Sequence, residues 1–149
     1  MRVFWRISAF PDLSGRGGLY AGGRWHTAGR PIVYLAESPA GAMLEVLVHL
    51  EVDPEDVPDH LRLMKATLPD QVSCLTASPL PAGWEGTQEH TRALGEAWLD
   101  QAQSLLLEVP GAIMAHTRNF LFNPQHPEAR LAEVAVETLR LDQRLLGRR

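Results

Sequence analysis

The feature that most constrains the fold is a short apolar run that passes directly into a helix. Residues 32–36 (IVYLA) are apolar and too short for a helix, which is typical of a buried strand. Ser38 and Pro39 follow as N-cap and first helical residue, and AGAMLEVLVHL then predicts a helix to about Leu50. The chain must therefore pack a strand and a helix together within about twenty residues.

The rest of the chain alternates short strand patterns with one further clear helix. Alternating residues favour strands at 2–7 and 60–68, and apolar spacing predicts a helix at 88–103. Shorter runs that favour strands lie at 72–77, 104–110, 112–115 and 119–123. Residues 132–141 fit strand and helix patterns equally well. We therefore predict one α+β domain over residues 1–149, with short-stranded sheets packed against two main helices.

Two connections differ in character. Residues 8–30 contain six glycines and read as one long loop, which in a domain of this size is usually functional or disordered. Residues 51–59 (EVDPEDVPD) are acidic and predict a solvated connection. The glycine-rich loop ends in Arg24 and Trp25, which a simple turn does not need, and we expect Trp25 to pack under the loop.

Charge and composition exclude several classes of function. The formal net charge of −4 argues against bulk binding of nucleic acid or anionic membranes. No apolar run approaches the ~18 residues of a membrane span, and residues 1–10 lack the pattern of a signal peptide. Cys74 is the only cysteine, so no intrachain disulfide can form, which fits a reducing cytoplasm. We expect Cys74 to be a buried strand residue.

Arg24, Tyr34 and Glu45 form the most informative constellation. They lie on a loop, the next strand and the next helix, and such consecutive elements usually neighbour each other. Arginine binds phosphate with two hydrogen bonds, a tyrosine ring stacks on flat rings, and a carboxylate can stabilise a positively charged sugar centre or activate a nucleophile. Each residue also has an ordinary role as surface ion pair, core aromatic or solvated helix residue. The pattern alone leaves two interpretations open, an anionic-ligand site and these ordinary roles.

The helix that carries Glu45 shows a second pattern. Gly41, Glu45 and His49 lie on one stripe, apart from the apolar side chains. Glycine inside a helix costs about 1 kcal/mol relative to alanine, so Gly41 predicts the close approach of a bulky group.

Other site types have weaker support. His116, His126 and Glu128 lack compact metal-ligand spacing and are interrupted by prolines, so we predict no metal site. Ser38 with His49 lacks the strand-turn-helix elbow of a hydrolase nucleophile. The glycine-rich loop does not match a dinucleotide-binding fingerprint.

Several segments, in order along nearly the whole chain, resemble the RES family of bacterial toxins that pair with Xre-type antitoxins. The segments are WRIS, GGRWHTAGRPIVYLAES, AMLEVLVHL, LEVPGAIMAHTRNFLFNPQHPEA and LDQRLL. The family resembles ADP-ribosyltransferases in fold and acts on NAD. The resemblance implies that Arg24, Tyr34 and Glu45 are its active-site arginine, tyrosine and glutamate.

The resemblance also implies a set of residues that bind NAD. The family's early arginine falls on Arg6, and its two asparagines fall on Asn119 and Asn123. Gly111 stands where the family usually has a serine, so that a hydroxyl is missing from this turn. We expect backbone N–H groups or water to replace it and Gly111→Ser to be tolerated.

The resemblance implies a cytoplasmic toxin that cleaves the nicotinamide–ribose bond of NAD by hydrolysis or phosphorolysis. NAD would be its substrate, with no cofactor. The alternatives are mono-ADP-ribosylation of a host protein and a weakly catalytic module that acts mainly by binding an antitoxin. The expected partner is an Xre-type antitoxin. The sequence leaves open the acceptor of ADP-ribose and whether a homodimer forms within such a complex.

Overall fold

The computed structural model describes residues 1–49 and 60–147, where seven strands form one sheet. The strands are β1 (Arg2–Ser8), β2 (Val33–Ala36), β3 (Arg62–Leu68), β4 (Cys74–Thr76), β5 (Leu106–Pro110), β6 (Arg118–Phe122) and β7 (Glu133–Thr138). The helices are α1 (Arg16–Tyr20), α2 (Pro39–His49) and α3 (Glu89–Gln101), with 3-10 helices at Trp84–Gly86, Pro127–Leu131 and Gln143–Leu146. The predicted α+β class is confirmed. The predicted connection 51–59 and helix end at Leu50 lie outside the described residues.

The sheet has a seam in its middle, where two neighbouring strands are paired at only one position. The order is β4-β5-β6-β2-β1-β3-β7, and all neighbours are antiparallel except β4 and β5. β1 pairs with β3 along its whole length but with β2 only at Trp5 and Ala36. The sheet therefore separates where β1 and β2 diverge.

Both faces of β5 and β6 are buried, which explains their continuous apolar runs. Phe120, Phe122 and Leu106 belong to one core cluster, and Leu107 and Leu121 belong to a second. Successive side chains of a strand point to opposite faces, so neighbouring residues enter different clusters. The second cluster is completed by α3 and by the glycine-rich loop.

The predicted start of α2 is confirmed. The Ser38 hydroxyl accepts a hydrogen bond from the Gly41 N–H at 2.9 Å, and Pro39 is the first helical residue. The cap satisfies one of the N–H groups that have no partner within the helix. It fixes where the chain leaves β2, and with it the position of the residues on the following turns.

The structure corrects three predictions. Residues 16–20 form the short helix α1 inside the predicted loop, because Gly18 packs so closely against the Arg30 carbonyl that a Cβ could not fit. Residues 112–115 are not a strand but part of the connection between β5 and β6. Cys74 is exposed, because β4 lies at an edge of the sheet.

The ambiguous segment 132–141 contains an edge strand. β7 pairs with β3 from Thr138 to Glu133, and all its residues are exposed. This position explains why its sequence lacks the apolar content of the central strands. Within residues 1–49 and 60–147, no helix has the length and apolarity needed to cross a bilayer.

Candidate active site

A cavity of about 550 Å³ opens at the seam between β1 and β2. Consecutive residues 5–7 and 34–36 of these strands all line it, so it lies between the strands and not over one face of the sheet. The glycine-rich loop, α2, Asn119 of β6 and residues after β5 contribute to the other walls. Its size is within the usual range of small-molecule sites.

One end of the cavity holds a carboxylate in a fixed orientation. Glu45 lies on α2, and its Oε1 accepts a hydrogen bond from Asn119 Nδ2 at 2.8 Å. Asn119 is paired with Ala36 in the sheet, so this hydrogen bond holds the carboxylate in place relative to a strand of the sheet. The other oxygen of Glu45 has no hydrogen-bond partner among the described residues. It is the carboxylate oxygen available to a ligand.

The helical stripe that faces the cavity differs from the predicted one. The lining residues of α2 are Ala42, Glu45, Val46, Val48 and His49; all but Val48 follow a spacing of i, i+3, i+4 and i+7. Gly41 does not line it, and its nearest neighbours are Ser38 and Ala36. The interpretation that Gly41 makes room for a ligand is therefore wrong.

Arg24 presents a buried donor that nothing in the protein uses. Its Nη1 has no hydrogen-bond partner and is the one such buried side-chain atom within residues 1–49 and 60–147. The guanidinium carbon lies 5.6 Å from the centre of the Trp84 ring, a cation–π contact. Because buried donors are nearly always satisfied, this N–H group is free to donate to an acceptor that the protein itself does not supply, on a ligand or a water molecule.

Tyr34 uses its ring and its hydroxyl differently. The residue lines the cavity, but its hydroxyl accepts a hydrogen bond from the Trp25 N–H at 3.1 Å and lies 2.7 Å from His26 Nδ1. Burial raises the pKa of Tyr34 well above its usual value, so the phenol is neutral. The hydroxyl therefore holds the loop, and only the ring of Tyr34 is available to contact a ligand.

A contact within the protein explains why Gly23 of the loop is a glycine. A Cβ on Gly23 would lie 2.5 Å from the Tyr34 hydroxyl oxygen. A side chain at this position would displace the tyrosine that holds the loop. The buried Trp25 packs beneath the loop in the second core cluster, as predicted.

α3 forms the support on which the glycine-rich loop lies. The Thr91 hydroxyl donates to the Arg24 carbonyl at 2.5 Å, and Arg92 Nε donates to the Gly23 carbonyl at 2.8 Å. Gly95 lets the helix approach the Trp25 carbonyl so closely that a Cβ could not fit. The backbone on both sides of the Arg24 side chain is thus fixed from α3.

Two further contacts continue this support along the helix. Glu96 accepts hydrogen bonds from the Thr27 N–H at 2.7 Å and from its hydroxyl, and these bonds lower the pKa of Glu96. Arg30 Nη2 lies 2.6 Å from Asp100 Oδ1. Arg30 is therefore an ion-pair residue outside the cavity, whereas Arg24 points into it.

Arg6 borders the cavity on the β1 side. Its Nη2 donates to the Ser8 hydroxyl at 2.9 Å. Burial lowers the pKa of Arg6 to about 10, an effect that nearby Asp12 partly opposes. At neutral pH it remains protonated and adds a second positive charge to the cavity wall.

The remaining two predicted NAD-binding residues lie outside the cavity lining. Asn123 is buried, and its side-chain oxygen accepts from the Gln125 N–H at 3.0 Å, which closes a turn after β6. Gly111 follows β5 and donates its N–H to the Thr117 carbonyl at 2.9 Å. Its neighbours Pro110 and Ala112 line the cavity, but Gly111 does not.

We expect Gly111→Ser to destabilise the protein by about 1 kcal/mol, which corrects the tolerance predicted from the sequence. Gly111 has no positive φ, but a Cβ would overlap the Thr117 hydroxyl, which donates to the Met114 carbonyl at 2.5 Å. Denaturant unfolding measures the change. In a Thr117→Ala background the cost should largely disappear. An equal cost in both backgrounds would show that this overlap is not its cause.

His126 and Glu128 form a structural turn. His126 Nδ1 accepts from the Glu128 N–H at 3.1 Å, and Glu128 accepts from the Ser73 N–H and hydroxyl. The bonds from Ser73 lower the pKa of Glu128. Among the residues that the structure describes, no group of three or more His, Cys, Asp or Glu side chains is placed to hold a metal ion.

Sequence reasoning missed Trp84 and Thr91, both of which hold Arg24. Thr91 carries no motif, since its hydroxyl acts on a residue 67 positions earlier. Trp84 lies in a Pro- and Gly-rich loop, and a tryptophan in such a loop was the only signal available. His26, the partner of Tyr34, lies in the glycine-rich loop but belongs to no recognisable motif.

Comparison with known proteins shows what this chain is similar to. A family model described as "RES domain" matches residues 3–143. A protein named "Toxin Res" from Pseudomonas putida is 57% identical over 143 residues, which cover 96% of this chain and 99% of that protein. A "Prs ADP-ribosylating toxin" from a Sphingobium strain is 38% identical over 139 residues, which cover 85% of each.

A solved structure shares the fold. A chain of the Mycobacterium tuberculosis MbcT–MbcA toxin–antitoxin complex superposes with a TM-score of 0.70 at 21% sequence identity. The match covers 98% of this chain and 89% of that one. The likeness therefore extends over the whole sheet with its helices.

Proposed function

The chain belongs to the RES domain family, and on that premise we propose that it is the toxin of a toxin–antitoxin system and consumes NAD. The proposed reaction cleaves the nicotinamide–ribose bond, with water or inorganic phosphate as acceptor. NAD is the substrate and is not regenerated. We propose the cytoplasm as the compartment of action, because NAD is abundant there.

The observation that carries this proposal is the unpaired buried Nη1 of Arg24. A guanidinium binds phosphate through parallel N–H···O bonds, and a pyrophosphate oxygen would satisfy the donor. Trp84 covers the guanidinium and Thr91 fixes its backbone, so the group is preorganised before a ligand arrives. Arg6, which also lines the cavity, adds a second cation.

Glu45 is proposed to act at the sugar. When the glycosidic bond breaks, its electron pair goes to the nicotinamide nitrogen and neutralises the pyridinium, while positive charge develops on the ribose. The free oxygen of Glu45 can stabilise that charge or take the proton of the attacking water, whose oxygen bonds to the ribose carbon. Asn119 holds the other oxygen, so the carboxylate need not reorganise as charge develops.

The distribution of charge in the cavity suits the two ends of NAD. The pyrophosphate carries two negative charges, and the proposed binding residues Arg24 and Arg6 are cationic. The pyridinium carries one positive charge, and Glu45 is the carboxylate in the cavity lining. The Tyr34 ring, which lines the same cavity, can lie against a flat ring of the ligand.

The test is to incubate the purified chain with NAD and to measure free nicotinamide by chromatography. The second product identifies the acceptor, since water yields ADP-ribose and phosphate yields its 1″-phosphate. A rate that rises with phosphate concentration would support phosphorolysis. No nicotinamide release at millimolar NAD, with or without phosphate, would overturn the proposal of NAD cleavage.

A second candidate is transfer of ADP-ribose to a protein side chain. The observation that favours it is the 38% identical relative named as an ADP-ribosylating toxin. The chemistry at the ribose is the same, and only the acceptor differs. Isotope-labelled NAD and a bacterial lysate test it, because the label should enter a protein with the wild-type chain and not with Glu45→Gln.

We also propose an antitoxin partner, of the Xre type, that blocks the cavity near Arg24. An acidic segment would suit a guanidinium placed for phosphate. Saturating NAD should then weaken partner binding to the Glu45→Gln variant, which avoids turnover during the titration, and linkage requires the reciprocal effect on NAD binding. Unchanged partner affinity at millimolar NAD would show that inhibition acts elsewhere.

A further inference from the structure

His26 is a buried polar residue for which the proposed reaction has no direct use. Only 2% of its surface is exposed. One ring nitrogen, Nδ1, lies 2.7 Å from the Tyr34 hydroxyl oxygen. The other, Nε2, lies 3.0 Å from the Ala21 carbonyl and 3.3 Å from the Gly18 carbonyl. Every polar atom of the ring is therefore engaged with the walls of the cavity.

The partners determine which nitrogen of His26 carries the proton. Carbonyl oxygens only accept, so Nε2 must be the N–H. Burial lowers the pKa of His26, so the ring is neutral and Nδ1 accepts. The Tyr34 O–H therefore donates to Nδ1, while its oxygen accepts from the Trp25 N–H. The result is one directed series of hydrogen bonds among Trp25, Tyr34 and His26, which ends at the carbonyls of Gly18 in α1 and Ala21 just after it.

We infer that His26 is a positioning residue, which orients the Tyr34 hydroxyl so that it holds the Trp25 amide and thereby sets the adjacent Arg24 in the cavity. The inference rests on the proposed function, since it concerns how the phosphate-binding guanidinium is held. Without an acceptor at Nδ1, the Tyr34 hydroxyl is free to rotate. The loop then keeps its contacts with α3 but loses its tie to the sheet.

Lowering the pH is expected to weaken this series of hydrogen bonds. The ring lies near Tyr34 of β2, the carbonyls of Gly18 and Ala21, and Arg92 and Glu96 of α3. Arg92 opposes protonation of the ring, whereas Glu96 and the two carbonyls favour it. Because burial dominates, the folded pKa lies below the ordinary value of about 6.5. The neutral ring therefore contributes stability above pH ~6.5, which is lost as the pH falls through the folded pKa. Protonation also removes the acceptor for Tyr34, so KM for NAD should rise in the same window.

A matched pair of substitutions tests the inference. His26→Leu removes the acceptor, whereas His26→Asn keeps an oxygen near the position of Nδ1. His26→Leu should raise KM for NAD about five- to tenfold, the size of one lost hydrogen bond, with a smaller effect on kcat, since phosphate binding serves ground and transition states alike. His26→Asn should restore most of the loss and abolish the rise of KM in acid.

A double-variant cycle shows whether His26 acts through Tyr34. Tyr34→Phe should raise KM by a similar factor, and Tyr34→Phe with His26→Leu should be no worse than either alone. If the effects multiply, or if His26→Leu leaves KM within twofold of wild type, the inference is wrong. If His26→Leu does not fold, the cycle is measured with His26→Asn in its place, alone and combined with Tyr34→Phe. Effects on KM that multiply would again show that the two residues do not act through the same hydrogen bonds.

A readout without NAD separates this inference from the proposed function. Nitrogen-15 NMR should show His26 as the Nε2–H tautomer, and the Trp25 amide should exchange with solvent at least tenfold faster in Tyr34→Phe. If the wild type releases no nicotinamide but these signals are found, the proposed reaction fails and the chain of hydrogen bonds stands. The Nδ1–H tautomer, or an unchanged Trp25 exchange rate, would overturn the inference itself.

Discussion

Glu45→Gln is expected to lower NAD turnover about 10²–10³-fold and to leave the fold intact. The amide keeps an oxygen that can accept from Asn119 Nδ2, so the contact between α2 and β6 survives. What is lost is the negative charge beside the ribose, where the proposed reaction develops positive charge. The measurement is nicotinamide release at saturating NAD, together with a thermal melt to check folding.

Glu37→Gln provides the matched control. Glu37 makes an exposed ion pair with Arg118 at 2.6 Å and does not line the cavity. Exposed ion pairs contribute about 0–1 kcal/mol, so this substitution should change stability slightly and turnover not at all. Wild-type turnover in Glu45→Gln, with normal folding, would remove Glu45 from the proposed mechanism.

Arg24→Lys is expected to lower kcat/KM for NAD about tenfold to a hundredfold, which corresponds to one lost charge-assisted hydrogen bond. An ammonium group cannot make parallel bonds to a phosphate. Lysine also lacks the planar group that lies against Trp84. The substitution also removes Nη1 of Arg24, the unpaired donor that is proposed to bind the phosphate.

Arg30→Lys is the control on the same loop. Arg30 pairs with Asp100 on α3 and lies outside the cavity lining, so its substitution should leave kcat/KM within about twofold of wild type. Steady-state kinetics of both variants decide the matter. Equal losses would mean that the loop acts as a diffuse basic patch, and a shaped phosphate site would be excluded.

The parts of the fold that sequence reasoning predicted correctly depend on local chemistry. The Ser38 cap and Pro39 determine the start of α2 by themselves, and the apolar runs of β2, β5 and β6 reflect strands buried on both faces. The resemblance to the RES family, based on ordered segments of the chain, is confirmed by a family match over residues 3–143. The extension of the domain to residues 1–149 stays a prediction.

The errors arise where distant contacts decide the local structure. Residues 16–20 contain two glycines and have little helix propensity, yet packing against the loop before β2 makes them helical. Cys74 is predicted to be a buried strand residue, but the strand order places β4 at an edge of the sheet, where Cys74 is exposed. No local pattern reports strand order.

In the candidate site, too, the residues with local signals could be predicted from the sequence, whereas the contacts between distant segments could not. The cavity brings together Arg24, Tyr34, Glu45, Arg6 and Asn119, whose roles in catalysis and NAD binding stay predictions. The support that α3 gives the loop could not be read in advance, because its contacts join residues 67 to 70 positions apart.

The support of the loop by α3 has a consequence for how the protein is made. Arg24, Tyr34 and Glu45 all leave the ribosome early, but Thr91 and Asn119, which hold two of them, are added much later. At about 5–20 residues per second, the growing chain carries these three side chains for seconds before the cavity can assemble around them. The proposed activity therefore cannot begin until translation has passed Asn119, so the order of synthesis delays the assembly of the cavity.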